Sequence, residues 1–234
     1  MDDLVIIIPA AGLGRRMKSY GPKSLLIIED KNLIHRQIKI LTDKYPNSKI
    51  VVVAGFEYEK VNTYIEEKLD SKLIKVLLNY KYKTTNVAKS ISLAAEKYPA
   101  NNYLIVYGDL IFNKETIENL NFDKSGIVLD TNDQFDSMEI GVKYENEAVV
   151  NFSYSILKKW AHILYLDYKD MNLFNAIVNR SYQDKFLTYE ILNKMISKHN
   201  LKLKVYENPS MFIQEIDDSK DIEKAEKLAG EGKF

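Results

Sequence analysis

Over roughly the first 130 residues, short β-branched runs alternate with longer stretches of helical period, and each change of period falls at a turn residue or a helix breaker. Leu4–Pro9 is a near-continuous apolar run, the pattern of a strand buried on both faces of a parallel sheet. A glycine-containing loop, Ala10–Lys23, follows it. Ile34, Ile38 and Leu41 recur at helical spacing, and Lys49–Ala54 (KIVVVA) predicts a second strand. Glu57–Leu69 predicts a helix with Val61, Tyr64 and Ile65 on one face. Leu73–Leu78 reads as a third strand, Asn86–Tyr98 as a helix, and Tyr103–Tyr107 (YLIVY) as a fourth strand that stops at Gly108-Asp109. Sequential βα units of this kind close with right-handed crossovers into a three-layer α/β sandwich.

After Gly126–Asp130 (GIVLD) the rhythm changes. Glu139–Tyr144, Ala148–Tyr154 and Ala161–Leu166 follow one another with little helix between them, which predicts an antiparallel extension beside the parallel sheet. Helical spacing returns over Lys169–Val178 and Lys185–His199. Leu201–Tyr206 is a strand candidate and Ser219–Leu228 a short final helix. With no internal repeat and no Pro/Ser/Gly-rich linker, one domain with an inserted or appended β/α portion is expected.

Composition narrows the chemistry. The chain has 234 residues and no cysteine, so disulfides, thiolate zinc sites and thiol nucleophiles are excluded, and catalysis must use carboxylates, hydroxyls, amines, histidine or a bound metal. Lys+Arg and Asp+Glu balance at 33 each, which removes the broad basic footprint of a sequence-independent nucleic-acid binder. The longest apolar run, at Leu4–Ile8, is far short of the roughly 20 residues that span a bilayer, and it follows two aspartates. A soluble, cytoplasmic protein without membrane insertion or nucleic-acid partner is the expectation, with oligomerisation left open.

In parallel α/β folds the ligand lies outside the carboxyl ends of the strands, so the loop after the first strand carries most weight. Gly12 and Gly14 let backbone amides approach an anion, and Arg15, Arg16, Lys18 and Lys23 add four cations. A Walker loop does not fit, because Gly21 is followed by Pro22 before Lys23-Ser24. A dinucleotide fingerprint fits poorly, with Met17 where a third small residue is needed and Ala54-Gly55 where an acidic residue would end the second strand.

Ala10, Ala11, Gly12, Gly14, Arg16, Pro22 and Lys23 reproduce in register the pattern A-A-G-x-G-x-R followed by P-K. The chain therefore resembles the sugar-phosphate and alcohol-phosphate nucleotidyltransferases, closest in motif to the phosphocholine-type cytidylyltransferases. The resemblance implies a Rossmann-like three-layer α/β sandwich with a mixed, mainly parallel sheet and a small β/α acceptor-binding portion. It divides the chain into a nucleotide-binding core (1–130), an acceptor-binding portion (131–205) and a metal-binding segment with the last helix (206–234). Ala10, Ala11, Gly12 and Gly14 would cradle the nucleotide, and Arg16 and Lys23 would neutralise the triphosphate and the departing pyrophosphate.

Asp109, at the carboxyl end of the fourth strand, suits a hard divalent cation. The resemblance implies that it ligates Mg2+ together with Asp217 of the segment Gln214-Glu215-Ile216-Asp217-Asp218, leaving Asp218 or Ser219 to cap the final helix. Thr85, Asn86 and Ser90 match a T-N pair with a following serine that reads base or ribose, although an asparagine in this position is more often simply a helix cap. Gly55, in Ala54-Gly55-Phe56, matches a turn that flanks the base. Trp160, with Tyr154 or Tyr165, would hold an apolar or quaternary-amine group by ring-face contact, but ordinary core is the commoner role for such residues. Lys143, Lys158 and Lys159 are candidate substitutes for the G-K pair with which many relatives grip a sugar phosphate. His35 and His199 read as structural or solvated.

The expected function is Mg2+-dependent transfer of a nucleotidyl group, CMP from CTP, to a small phosphorylated or phosphonylated metabolite with release of pyrophosphate. Such chemistry supplies precursors for cell-surface polysaccharide or phospholipid. Two alternatives stay open: a guanylyl- or uridylyltransferase acting on a sugar 1-phosphate, and a non-catalytic nucleotide-binding module on the same fold.

Overall fold

The computed structural model describes residues 3–12, 14, 21–69, 72–131, 139–180 and 182–234. Among them the strands are β1 (Leu4–Ala10), β2 (Ile27–Ile28), β3 (Lys31–Asn32), β4 (Lys49–Ala54), β5 (Ile74–Leu78), β6 (Asn102–Val106), β7 (Leu110–Phe112), β8 (Gly126–Leu129), β9 (Ile140–Glu145), β10 (Ala148–Tyr154), β11 (Trp160–Asp167), β12 (Lys204–Tyr206) and β13 (Ile213–Glu215). The helices are α1 (Leu33–Lys44), α2 (Tyr58–Lys68), α3 (Val87–Lys97), α4 (Glu115–Glu118), α5 (Tyr168–Val178), α6 (Thr188–His199) and α7 (Ser219–Gly230). No helix among the described residues is long and apolar enough to cross a membrane.

Alternation along β1 organises the core. Val5 and Ile7 point to one face of the sheet and pack with Ala88, Ile91 and Ala94 of α3, Phe174 of α5 and Leu192 of α6. Leu4, Ile6 and Ile8 point to the other face, where Ile34, Ile38 and Leu41 of α1 and Val61 and Ile65 of α2 cover them. The uninterrupted apolar run of β1 is thus the signature of a strand with helices on both sides. The result is a three-layer α/β fold around a large mixed, mostly parallel sheet.

That sheet has the order β5-β4-β1-β6-β11-β8-β12-β10-β9. Its parallel and antiparallel pairings leave seven strands running one way and only β11 and β10 the other. The chain winds outward from β1 through β4 to β5, then returns across β1 to β6. The strand order thus reverses at β1 and β6, and a crevice lies at their carboxyl ends.

Three expectations need correction. The antiparallel strands were expected beside the parallel sheet, yet β11 lies inside it, between β6 and β8. The reason is its two-faced apolarity: Trp160, Ala161, Ile163, Leu164, Tyr165 and Leu166 are all buried. Only β9 and β10 form an antiparallel edge. The helix expected from Lys185 starts at Thr188, because Gln183–Lys185 makes a 3-10 turn. The strand expected over Leu201–Tyr206 is confined to its last three residues.

The short elements β2, β3, β7 and β13 carry no readable period. β7 pairs antiparallel with β13, Leu110 opposite Glu215 and Phe112 opposite Ile213. This ribbon sits outside the main sheet and ties the C-terminal segment to the turn after β6. α7 anchors it from behind, with Ala225 and Ala229 packed against Ile216, Ile111 and Ile28.

Candidate active site

The crevice is a cavity of about 880 Å3. Ala11 and Gly12 from the first loop, Thr85, Asn86 and Ser90 from the start of α3, and Asp109 and Asp217 all line it. Ala10, Gly14 and Gly55 do not, but two of them back it. A Cβ on Gly55 would lie 2.6 Å from Tyr82 Cβ and 2.7 Å from the Ala11 carbonyl oxygen, so only glycine lets these walls meet. Ala10 packs against Gly108, where an added Cβ would stand 2.9 Å from the Ala10 Cβ. Gly14 is left-handed, at φ 51°, a conformation suited to glycine. Arg15, Arg16 and Lys18 lie outside the described residues.

At one end, pairing of β7 with β13 brings Asp109, Glu215 and Asp217 together, with one oxygen from each within 4.8 Å of the others. The Ile216 amide donates to the Asp109 carbonyl (2.9 Å), which locks the segment to the strand end. Lys23 does not line the cavity. Its Nζ stands 2.6 Å from Asp217 Oδ1 and 3.3 Å from Asp109 Oδ2, between the two carboxylates. Burial lowers the Lys23 pKa, but Asp109 and Asp217 override it and the net shift is upward. Burial raises that of Asp109 despite Lys23. Asp109 Oδ1 is buried without a hydrogen-bond partner.

An orphaned carboxylate oxygen beside two further carboxylates is a donor set suited to a hard divalent cation. Asp221 shapes the same corner by accepting from the amides of Asp217 (2.7 Å) and Asp218 (2.9 Å). Asp218 caps α7, accepting from the Lys220 amide at 2.8 Å, as expected.

Four residues at this site were not singled out from the sequence. Glu215 has a legible signal, since Glu215 and Asp217 flank Ile216 and alternation puts both carboxylates on one side. His162 has little. Its φ of 54° falls at a register shift in β11, a bulge that re-aims the ring. The ring stacks on Tyr107 with centroids 4.9 Å apart, and its Nδ1 is 3.4 Å from Glu215 Oε2. Burial opposes the imidazolium, but Glu215 more than compensates and the His162 pKa is raised. Burial likewise raises that of Glu215, and the nearby His162 holds it well below the usual carboxylate range instead.

Gln37 is a polar interruption of the apolar stripe Leu33-Gln37-Leu41. It donates to the carbonyls of Tyr107 (2.9 Å) and Leu110 (2.7 Å), on either side of Asp109. Asn79 is buried, and its Nδ2 donates to Thr85 Oγ1 (3.2 Å) and Ser90 Oγ (3.1 Å), tying the expected polar group together. Asn86 is indeed the cap of α3, accepting from the Val87 amide at 3.0 Å, while also lining the cavity.

The far end of the cavity is aromatic and acidic. Trp160 is almost wholly buried, with its Nε1 bound to the Ile163 carbonyl at 3.1 Å, and it also forms part of the wall with Tyr154 and Tyr189. Tyr165 turns to the other face of the sheet and stacks on Phe122. Of the three candidate lysines, Lys159 lies nearest, paired with Glu139 Oε1 at 2.6 Å, while Glu139 Oε2 is buried and unpartnered. His35 contacts Tyr64 outside the cavity, its Nδ1 3.1 Å from the hydroxyl. Among the described lining residues there is no Lys or Arg, against the carboxylates of Asp109, Glu139, Glu215, Asp217, Asp218 and Asp221.

The crevice thus lies at a strand-order reversal of an α/β domain, bordered by clustered carboxylates and a part-buried lysine. The family model of the MobA-like NTP transferase domain matches residues 6–167, and the chain belongs to that family. Among curated relatives, the choline-phosphate cytidylyltransferase of Streptococcus pneumoniae is 35% identical over 109 residues, covering 45% of this chain and 45% of that protein. The bifunctional protein GlmU of Thermosipho melanesiensis is 33% identical over 115 residues, covering 49% of this chain and 24% of that protein. The chain thus spans less than half the length of these relatives.

Solved structures share the fold over nearly the whole chain. The CTP:phosphocholine cytidylyltransferase of Streptococcus pneumoniae superposes with a TM-score of 0.76 at 20% identity, covering 97% of this chain and 99% of that one. The inositol-1-phosphate CTP transferase of T. maritima gives 0.78 at 17% identity, covering 98% and 97%.

Proposed function

We propose that the protein is a Mg2+-dependent nucleotidyltransferase that moves CMP from CTP to a small phosphorylated or phosphonylated alcohol bearing an amine, releasing pyrophosphate. The observation that carries this reading is the convergence of Asp109, Glu215 and Asp217 below the glycine loop. The carboxylates along the described lining would repel a triphosphate, and a divalent cation together with Lys23 and the basic residues of the first loop would offset that charge. Asp109, Glu215 and Asp217 would hold Mg2+. When bound, it supplies charge neutralisation around the triphosphate and the α-phosphorus.

The chain's own groups do the rest. Ala11 and Gly12 leave the backbone open to the phosphates. Asn79 fixes Thr85 and Ser90 for hydrogen bonds to base or ribose, with Gly55 keeping the wall beside them thin. Lys23, whose ammonium stands between Asp109 and Asp217, would turn toward phosphate oxygens once a cation holds those carboxylates, with Arg16 as its expected companion in the first loop. The acceptor phosphate is already anionic at neutral pH and needs no general base. Catalysis is then in-line positioning and electrostatic stabilisation.

The aromatic wall of Trp160, Tyr154 and Tyr189 with the free Oε2 of Glu139 favours a cationic amine over a sugar ring. In this reading residues 131–205 supply most of the acceptor pocket, and the core 1–130 with segment 206–234 supplies the nucleotide and metal sites. The choline-phosphate cytidylyltransferase among the curated relatives, which also include GlmU, supports CTP as the donor in this reading.

The test is pyrophosphate release by the purified protein with each of the four NTPs and Mg2+, crossed with phosphocholine, phosphoethanolamine, aminoethylphosphonate, polyol phosphates and sugar 1-phosphates. Release with CTP and an amine-bearing acceptor, abolished by Asp109→Ala, is expected. Turnover with UTP or GTP and a sugar 1-phosphate would replace the substrate assignment, and wild-type turnover in Asp109→Ala would refute the mechanism.

A further inference from the structure

A second cavity, of about 790 Å3, lies at the other end of the β7–β13 ribbon and takes no part in the chemistry above. Its cationic lining is Lys31, Arg36, Lys39, Lys114 and Lys233, against the single carboxylate of Glu115. Arg36 is committed locally, with Nη2 bound to the Ile28 carbonyl at 2.8 Å and near Glu29 and Asp30. Lys39 pairs with Asp43 at 2.6 Å, but both side chains are more than half exposed, so an incoming anion competes for that ammonium easily. Lys114 and Lys233 are exposed and in no ion pair among the described residues.

The rest of the wall is apolar, with Phe112, Phe212, Phe234, Met211 and Ile40. Phe212 and Phe234 meet edge to face at 5.2 Å, and Lys233 Nζ sits 5.9 Å from the Phe212 centroid. Aromatic faces beside unpaired ammonium groups match a molecule with a flat body and a phosphate tail. The volume lies in the range of small-molecule and cofactor sites.

Three elements join this cavity to the carboxylates. β7 runs from Leu110, next to Asp109, to Phe112, and β13 runs from Ile213, next to Phe212, to Glu215, so each strand has one end at either site. α1 presents Arg36, Lys39 and Ile40 to the cavity and Gln37 to the Tyr107 and Leu110 carbonyls around Asp109. We propose that this cavity is a second nucleoside-phosphate site, where the base packs on the phenylalanine wall and the phosphate meets Lys39, Lys114 and Lys233. A ligand there acts on the metal-binding carboxylates through β7, β13 and α1. The enzyme's own nucleotide or its nucleotidyl product has the chemistry to serve as such an effector.

The test titrates CMP, with cytidine and inorganic phosphate as separate arms, by calorimetry in EDTA. Titrations use wild type, Lys114→Glu/Lys233→Glu, Phe212→Ala, and Asn79→Ala, which disables the crevice. A CMP site that survives in Asn79→Ala and weakens at least tenfold in both Lys114→Glu/Lys233→Glu and Phe212→Ala is expected, with cytidine and phosphate each binding more weakly than CMP. CMP binding that is insensitive to both cavity variants, or absent in Asn79→Ala, overturns the site. Because the charge-reversed lysines are exposed, those chains should fold, which circular dichroism checks.

Coupling is read separately from the Mg2+ affinity of Asn79→Ala by thermal shift, with and without saturating CMP. A threefold or larger change is expected, and an unchanged affinity overturns the coupling. Self-association through this face, abolished by the lysine reversals and without CMP binding, would make it an interface and overturn the proposal. None of these outcomes requires turnover, so failure of the cytidylyltransferase reading leaves a different signature.

Discussion

Replacing Lys23 with methionine removes the ammonium that stands between Asp109 and Asp217 and leaves their carboxylates, with that of Glu215, facing one another. Removing one partner of a fully buried ion pair costs about 3–5 kcal/mol. Here the side chains of Lys23, Asp109 and Asp217 are 17%, 26% and 37% exposed, so water screens part of the loss. Discounted for that exposure, about 1–3 kcal/mol is expected. For a chain of this size that is a fall in Tm of about 2–12 °C in EDTA. Asp109, whose pKa burial already raises, relieves some of the repulsion by taking a proton, so the loss is larger at pH 8 than at pH 5.

The same geometry makes a second, sharper demand. In wild type a divalent cation must displace Lys23 from the carboxylates, whereas in Lys23→Met it does not. A ligand at 100 times its Kd stabilises a fold by about 2.7 kcal/mol, and the variant should realise more of this at a given Mg2+ concentration. Thermal unfolding followed by circular dichroism, with Mg2+ titrated from zero without nucleotide, measures both effects. Lys23→Met should start lower and gain more from Mg2+ than wild type, while losing turnover by about 100-fold or more as a missing electrostatic contact in the transition state. An unchanged Tm in EDTA, or equal Mg2+ gains in the two proteins, would refute the view that Lys23 and the cation share one set of carboxylates.

Gln37→Leu removes two buried donations to the carbonyls flanking Asp109 and should cost about 1–3 kcal/mol in urea unfolding, together with weaker Mg2+ binding. Gly55→Ala forces a Cβ into Tyr82 and the Ala11 carbonyl, and should destabilise by about 1–3 kcal/mol while raising the KM for the nucleotide more than that for the acceptor. The His162–Glu215 pair gives the metal-free protein a pH-dependent stability. The contribution of His162, with its raised pKa, is complete below pH 6.5 and is lost as the pH rises through that raised value; the contribution of Glu215, with its lowered pKa, is complete above 4.5 and is lost as the pH falls through that lowered value. Melting in EDTA across pH 2–9 should show both limbs, the acid one below pH 4.5, and His162→Gln should flatten the alkaline one; persistence of that limb would assign it to another group.

Local pattern was enough for the first strands and the helices that cover them. The apolar run of β1, the KIVVVA of β4 and the helical spacing of α1 to α3 follow from burial on one or two faces, and burial is written in consecutive residues. The first-loop motif was legible because it is made by neighbours in the chain, and the choice of Asp109 and Asp217 rested on short motifs of the same kind. What sequence could not supply were the pairings between distant short segments. β7 and β13 are three residues each and lack a period, so nothing local shows that Leu110 faces Glu215 or that Glu215 joins the carboxylate cluster. The intercalation of β11 between β6 and β8, which carries His162 and Trp160 to the crevice, is likewise a choice among sheet positions with similar local preferences. Gln37 and Asn79 became meaningful only when the fold set them against carbonyls and hydroxyls far along the chain. The sequence determined which segments could become strands, helices and a glycine-containing loop, because those depend on neighbours; tertiary structure alone decided which carboxylates cluster and which rings line a pocket, because those depend on contacts across the chain whose closure leaves no periodic trace.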